Sequence, residues 1–448
     1  MSESLMPHQL ASLEEFRAHH GRMLLWSDPG NGKTAVALVA AERTGASTLF
    51  VCPAIVRQQV LGEVRKFTSD LHARVVTGDA DARALTWKVA KQEDDDEGPL
   101  LFIISYETLV ADIEYLKKIN WKLIIVDECQ RIASPGNKCA KLLKKIPATY
   151  RLAMSGTPFP NATHEMWSVI HWLDPLTPLG KSFYEFRRLH CRTNPYIPQQ
   201  ITGYVNEEEI KRIVALHTHR VFRRDAQTDV PKLEERVQFT DLPDVERRRY
   251  DEFKRELVLE LESGEKLTVP NVLASLMRLR QLVDCPGVFD EKFTSQKLNV
   301  ATFIIAGWLT SKEKEKVIVF SEFKEPLKIL NNFYAGLSEV IDGDTPQKRR
   351  QEILKGFADS QFPLLLLSSA GQVGLNIQTA NKILHYGSSW NQARMDQRTA
   401  RAHRKGQTRA VESVILLARD TVDEHMHDLC LKKGKLNKED LMQLLHTL

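Results

Sequence analysis

Ser27-Asp28-Pro29-Gly30-Asn31-Gly32-Lys33-Thr34 follows the apolar run Met23–Trp26 and opens the alanine-rich stretch Ala35–Arg43. A strand, a glycine turn and a helix in that order make a phosphate-binding loop. Gly30 and Gly32, with Asn31 between them, let the backbone turn tightly, so that its N–H groups and the helix N-terminus face phosphate oxygens. Lys33 is placed to reach the terminal phosphates and Thr34 to ligate magnesium. The stricter pattern has glycine where Ser27 stands, so the match is to the looser G-x-G-K-T form. Taken alone, these residues also fit a plain glycine-rich turn.

Working outward, the buried-strand run Leu123-Ile124-Ile125-Val126 ends directly in Asp127-Glu128-Cys129-Gln130. Carboxylates at the carboxyl end of a parallel strand lie where ligands bind in such sheets. Asp127 is the expected partner of magnesium, and Glu128 the residue that orients and deprotonates the attacking water. Upstream, Gln9 in Met6-Pro7-His8-Gln9-Leu10 could present its amide to an adenine edge. Downstream, Ser155-Gly156-Thr157-Pro158 follows the run Arg151–Met154. The hydroxyls of Ser155 and Thr157 are then expected beside the acidic pair, coupling it to the γ-phosphate, although an ST-turn fits the same residues.

The loop sits in a chain that repeats the strand-helix pattern twice. Apolar runs at Met23–Trp26, Thr48–Cys52, Val75–Thr77, Leu100–Ile104, Leu123–Val126 and Arg151–Met154 read as buried parallel strands. A second series runs through Val317–Phe320, Val340–Asp342, Leu364–Leu367, Ile383–Tyr386 and Ser413–Leu417. The tract from about 165 to 297 reads as strand-poor and helical, with amphipathic patterns at Val245–Glu262 and Val272–Leu282. At 448 residues the chain is long enough for two or three domains. The expected boundaries are 1–230 for a first lobe with a helical protrusion and 231–448 for a second lobe with a helical insertion at about 241–295.

Composition sets limits on function. With 42% hydrophobic and 27% charged residues the chain is globular, and its net charge of +4 permits nucleic acid without requiring it. The six cysteines contain no C-x-x-C pair, which speaks against a zinc module or a disulfide framework. No signal peptide or membrane span is legible, so a cytoplasmic location, or a nuclear one in a eukaryote, is expected. The acidic run Glu93–Glu97, followed by Gly98-Pro99, reads as a solvated loop.

In Trp390–Gln407, Gln397, Arg401 and Arg404 recur at i, i+4 and i+7, so one helix face carries an amide and two guanidiniums. A solvated basic face is the simplest explanation. The first half of the chain, however, has a phosphate loop and acidic pair without an evident arginine finger. Arginines delivered from the second half would supply charge stabilisation worth roughly 10³–10⁵ in rate.

The order of these motifs resembles superfamily-two helicases, and specifically the Swi/Snf-related family of duplex-DNA translocases, over almost the whole chain. The resemblance rests on Pro7-His8-Gln9, Gly30–Thr34, Val51-Cys52-Pro53, Asp127-Glu128, Ser155–Pro158 and Gln397-x-x-x-Arg401-Ala402-His403-Arg404-x-Gly406-Gln407. It rests also on Phe222-Arg223-Arg224-Asp225 with Val230-Pro231-Lys232, and on Leu279–Leu282 with Pro286–Phe289. It implies an α/β fold of two tandem RecA-like parallel-sheet lobes with helical insertions between and within them. It further implies that Gln372, Gly374, Leu375 and Asn376 form the second lobe's contact to nucleotide and DNA backbone, that Gln397 contacts nucleotide, and that Pro53, Arg57, Ser105, Tyr106, Ser321, Ser369, Gln372 and Trp390 meet nucleic-acid phosphate. Cys129-Gln130 departs from the family's usual small residue and histidine.

The expected function is therefore an ATP- and magnesium-dependent, DNA-stimulated motor, monomeric, that tracks on duplex DNA without reading its sequence. A strand-separating or annealing helicase at forks uses the same motifs. A third reading, from another class, is an ATP-switched scaffold or the motor subunit of a nuclease complex. Replication or repair proteins are the other partners compatible with these motifs.

Overall fold

The computed structural model describes residues 5–92, 100–159, 163–197, 199–226, 230–263, 269–288, 295–369, 377–404 and 406–433. The acidic run at 93–97, Phe289 and the segment with Gln372, Gly374, Leu375 and Asn376 lie outside the described residues. The chain divides into two compact units, Met1–Thr228 and Asp229–Leu448.

The first unit contains β1 (Arg22–Ser27), β2 (Thr48–Cys52), β3 (His72–Val75), β4 (Leu100–Ser105), β5 (Trp121–Asp127), β6 (Ala148–Ser155), β7 (Cys191–Thr193), β8 (Ile201–Tyr204) and β9 (Thr218–Val221). Seven of these form a sheet of order β3-β4-β2-β5-β6-β1-β9, and every pairing in it is parallel. β7 and β8 pair antiparallel as a separate hairpin. Because the seven strands run the same way, the residues that leave their carboxyl ends gather along one edge.

Both faces of that sheet are covered, which is why its central strands are apolar throughout. Alternate residues serve opposite faces. Leu24, Ile124 and Val126 join a core with Trp87, Trp121 and Phe102, whereas Met23, Leu25, Leu123 and Ile125 join one with the helix Lys33–Thr44.

The second unit contains β10 (Leu233–Thr240), β11 (Val317–Ser321), β12 (Ser338–Ile341), β13 (Leu364–Ser368), β14 (Lys382–Tyr386) and β15 (Val411–Ala418). They form a parallel sheet of order β10-β15-β14-β11-β13-β12. The fold class is thus α/β with two parallel sheets. Helices Asp244–Ser263 and Val269–Asp284 follow β10, and Tyr250, Val272, Leu276 and Leu279 pack with Val422, Met426 and Cys430 of the helix Val422–Lys433.

The tract 165–297 is less strand-poor than expected, because it holds β7, β8, β9 and β10. β9 and β10 are sheet edges with mixed polar sequences, Thr-His-Arg-Val and Leu-Glu-Glu-Arg-Val-Gln-Phe-Thr, so they lack the apolar run that marks a central strand. β3, another edge, lies at 72–75 instead of 75–77 for the same reason. The helix that carries Gln397 and Arg401 spans Gln392–Ala402, so Arg404 lies beyond its end and the i, i+7 argument stops short of it. Among the described residues no helix is long and apolar enough to cross a membrane.

Candidate functional site

The phosphate loop connects β1 to the helix Lys33–Thr44, whose N-cap, Gly32, adopts a left-handed φ of 74°. A Cβ at Gly32 would sit 2.2 Å from Gln9 Nε2, so both backbone conformation and space require glycine. Gln9 is buried. Its Nε2 donates to the carbonyls of Asn31 (3.2 Å) and Gly32 (3.4 Å), and its Oε1 accepts from Met6 N (2.9 Å). His8 Nε2 also meets the Asn31 carbonyl, at 2.9 Å. The amide proposed for an adenine edge thus also braces the loop backbone.

The loop is held on its other side by β9. Asp28 accepts from Arg220 Nη2 at 2.6 Å and from Arg223 N at 2.9 Å, and Asn31 Nδ2 donates to the Val221 carbonyl at 3.3 Å. The Arg220 guanidinium stacks over Trp26 (4.7 Å) and Phe222 (4.5 Å). Lys33 Nζ donates to the carbonyls of Ser27 (2.7 Å) and Asp28 (3.3 Å), so the ammonium lies folded along the loop it is expected to serve.

β5 delivers the acidic pair to the same edge. Glu128 has a left-handed backbone, φ 53° and ψ 53°, a conformation that costs a non-glycine residue on the order of 1–3 kcal/mol and is concentrated at functional sites. Glu128 N donates to Asp127 Oδ1 at 3.0 Å. Desolvation and the adjoining Glu128 carboxylate push Asp127 up to about 7, against the pull of Lys33. A carboxyl held back from ionising by burial and a neighbouring carboxylate is one whose charged form a nearby cation stabilises.

Gln130 ties this pair to β6. Its Nε2 donates to Glu128 Oε2 at 2.8 Å, its Oε1 accepts from Ser155 Oγ at 2.7 Å, and Ser155 Oγ accepts from Thr157 N at 2.9 Å. Lys33, Thr34, Asp127, Glu128, Ser155 and Thr157 therefore all stand on the carboxyl edge of one sheet. Among the described residues no three His, Cys, Asp or Glu side chains cluster as a metal cage.

The residues expected to meet nucleic-acid phosphate in the first unit also sit on this edge, but several have their polar atoms committed. Ser105 is buried and caps the helix Tyr106–Ala111 by accepting from Thr108 N at 3.1 Å. Tyr106 is buried and donates to the Asp127 carbonyl at 2.6 Å, making it a support of the acidic pair. Pro53 is buried at the end of β2. Arg57 donates to the carbonyls of Ala54 and Val76, both at 3.1 Å.

In the second unit Ser321, at the end of β11, is buried and accepts from Phe323 N at 3.1 Å, and Ser369 N donates to the Ser321 carbonyl at 3.1 Å. Gln397 and Arg401 are partly exposed on their helix, and Arg404 is partly exposed just after it. The buried arginine of that helix is one the sequence reading passed over: Arg398 pairs with Glu322 at 2.5 Å. Trp390 packs against the helical insertion, with the Arg280 guanidinium 5.4 Å above its ring. Sequence reasoning also missed Gln130 as a link and Arg220 as a brace, because neither role is visible until the strands are ordered.

Known proteins resemble this chain over both of its halves. The model of the SNF2-related domain matches residues 8–288, and that of the helicase conserved C-terminal domain matches residues 296–406. Similar relatives include chromodomain-helicase-DNA-binding protein 1-like of Danio rerio, 28% identical over 439 residues, covering 92% of this chain and 41% of that protein. An uncharacterized ATP-dependent helicase of Mycoplasma genitalium is 26% identical over 452 residues, covering 94% of this chain and 40% of that protein. The ISWI chromatin-remodeling complex ATPase of Saccharomyces cerevisiae is 26% identical over 477 residues, covering 98% and 41%. The chain thus spans about two fifths of the length of these curated relatives. Among solved structures, a Sulfolobus solfataricus SWI2/SNF2 ATPase core in complex with dsDNA aligns over 99% of this chain and 95% of that chain, at 25% identity and a TM-score of 0.46. With the phosphate loop, the acidic pair and the arginine-bearing helix all inside the matched spans, this chain belongs to the SNF2-related family of helicase-like proteins.

Proposed function

We propose that this chain is a magnesium-dependent ATPase motor that is stimulated by DNA and translocates on duplex DNA without sequence preference. One observation carries the reading: the phosphate loop, Asp127–Glu128 and Ser155 share the carboxyl edge of one sheet, and Gln130 hydrogen-bonds to both Glu128 and Ser155. The relatives' printed names, among them an ATP-dependent helicase and a helicase-DNA-binding protein, support it.

In this mechanism the N–H groups of Gly30–Thr34 cradle the phosphates, and Lys33 leaves its backbone carbonyls for the terminal phosphate. Thr34 and Asp127 would hold magnesium, whose chemistry is to neutralise charge growing on the phosphoryl oxygens. Glu128 positions the water and accepts its proton, with its carboxylate oriented by Gln130. Ser155 and Thr157 transmit the state of that carboxylate to β6. Arg401 and Arg404 are assigned the transition-state charge, the role an arginine finger performs. Nucleic-acid affinity built on phosphate contacts should fall steeply with salt.

The test is steady-state ATP hydrolysis by the full chain with matched duplex, single-stranded and forked DNA and with RNA. Duplex DNA should stimulate most, and Lys33→Ala and Glu128→Gln should abolish turnover while duplex binding persists. Undiminished turnover in both variants, or indifference to every nucleic acid, would sink the reading.

A further inference from the structure

The hairpin β7–β8 has no part in the site above, yet it carries the most exposed aromatic side chain among the described residues. Tyr196, at its tip, is 93% exposed, and the adjoining Ile197 is 53% exposed. A two-stranded hairpin is only marginally stable by itself, and this one is stiffened along its length. Asn194 N donates to the Gln200 carbonyl at 2.9 Å, Asn194 Nδ2 to Gln200 Oε1 at 3.0 Å, and Thr202 Oγ1 to the Arg192 carbonyl at 3.2 Å. At the tip, Tyr196 N donates to Asn194 Oδ1 at 2.9 Å. The chain therefore spends hydrogen bonds to hold a tyrosine and an isoleucine out in water, where apolar groups are ordinarily unfavourable.

The hairpin's own sequence is one-signed. From Phe186 to Asn206 the sequence has no Asp or Glu, while Arg187, Arg188 and Arg192 are cationic. Arg188 and Arg192 are exposed. The acidic turn that follows, Glu207–Glu209, is paired with Lys211 and Arg212 of its own helix. An aromatic tip on a cationic stem complements a polyanion with accessible ring faces, which is the chemistry of an opened base pair.

The hairpin is also tied to the segment ahead of the helix Glu165–Leu173. Tyr204 of β8 meets His164 Nδ1 through its hydroxyl at 2.8 Å, and His164 stands seven residues beyond Thr157 on the segment leaving β6. Phe183 packs against the same imidazole at 6.1 Å.

We infer that the β7–β8 hairpin is a strand-parting pin, with Tyr196 stacking on the terminal base pair of a DNA fork or branch. This rests on the DNA-motor reading and extends it from plain duplex to junctions, where strands separate or re-pair. The stem arginines hold the flanking phosphates, and the His164–Tyr204 contact fixes the pin to the residues that open the helix Glu165–Leu173.

The test uses the full chain with Tyr196→Ala and Tyr196→Phe. Each is assayed for ATP hydrolysis on plain duplex, for strand displacement or re-annealing on a model fork, and for fluorescence of 2-aminopurine placed at the junction. Tyr196→Ala should keep duplex-stimulated hydrolysis within about twofold. It should lose fork processing by roughly 5- to 150-fold, the range expected for one base–aromatic stack. The junction signal should vanish with it, and Tyr196→Phe should restore both. Fork processing unchanged in Tyr196→Ala overturns the pin and leaves the motor standing. An unsubstituted chain whose hydrolysis ignores duplex DNA overturns the motor reading itself, whatever the forks show.

Discussion

Gln130 Nε2 donates to Glu128 Oε2 at 2.8 Å while Gln130 Oε1 accepts from Ser155 Oγ at 2.7 Å, so one amide reads the carboxylate on one strand and the hydroxyl on the next. An amide suits this place because it donates and accepts at once without titrating. The side chain that breaks the family's usual pattern after the acidic pair is thus the one that joins that pair to β6.

Gln130→Ala should therefore slow ATP hydrolysis by roughly 10- to 100-fold, the cost of a misplaced catalytic group. The apparent KM for ATP should stay within about threefold, since the phosphate loop is untouched. Ser155→Ala leaves the bond to Glu128 in place, so it should keep most hydrolysis and lose translocation. Steady-state ATPase beside triplex displacement separates the two, and equal loss of hydrolysis in both variants would contradict the relay.

Arg220 braces the phosphate loop through Asp28 at 2.6 Å and stacks between Trp26 and Phe222. Both partners of the ion pair are about a quarter exposed, so solvent screening keeps the charge contribution modest and the stacking matters as much. Arg220→Ala should raise the KM for ATP several-fold and destabilise the first unit by about 1–2 kcal/mol. Arg220→Lys should keep the charge and lose the planar stack, falling between the two. Nucleotide titration and thermal melting check the order.

How much of this was legible follows strand position. Central strands such as Leu123–Val126 are buried on both faces, so an unbroken apolar run announces them and places Asp127 at their end. Edge strands such as β9 carry Thr218, His219 and Arg220 because one side meets solvent, and so the brace on Asp28 stayed hidden. The phosphate loop was legible because glycine at position 32 answers a local demand, a φ of 74°. The bonds of Gln9 to Asn31 and Gly32 have no local signal, since those partners lie more than twenty residues away. Asn194-Pro195-Tyr196-Ile197-Pro198 signals a turn, but nothing in it says that the tyrosine stands out in solvent.

Lys297 is wholly buried between Asp284, at 2.5 Å, and Asp423, with Tyr386 beneath it at 5.0 Å. Burial pulls the ammonium down, but the two carboxylates outweigh it and hold Lys297 above its ordinary value; burial raises Asp284 to about 6. The three residues come from the insertion helix, the helix Gln296–Leu309 and the helix Val422–Lys433, so the cluster pins the insertion to its sheet. Lys297→Met should destabilise the second unit by roughly 3–5 kcal/mol by leaving two carboxylates uncompensated. Adding Asp284→Asn and Asp423→Asn should recover much of that loss. Urea unfolding of the three chains is the measurement, and a triple variant no better than Lys297→Met would reject the charge argument.

His385 supplies a pH test in the same unit. It is buried in β14, stacked on Phe320 with centroids 5.5 Å apart and bonded through Nε2 to Thr399 Oγ1 at 3.3 Å. Burial, with the nearby Arg398 guanidinium, lowers it to about 3, against an ordinary value of about 6.5. Between those two values the unfolded chain binds the extra proton, so this histidine stabilises the fold above pH ~6.5 and the contribution drains away as pH falls. The slope approaches about 1.4 kcal/mol per pH unit once the unfolded imidazole is protonated. His427 is lowered as well and acts in the same direction. Asp284, raised to about 6, acts oppositely, since a raised carboxyl gives back stability as pH falls toward 4. His385→Phe leaves those two in place and removes one titration, so the informative quantity is the difference between chains. Melting at pH 7.5 and pH 5.5 should show a smaller drop for His385→Phe than for the unsubstituted chain, whatever its absolute stability. Equal drops would mean that His385 takes up its proton as readily in the folded chain as in the unfolded one, which its burial against Phe320 and the nearby Arg398 charge argue against.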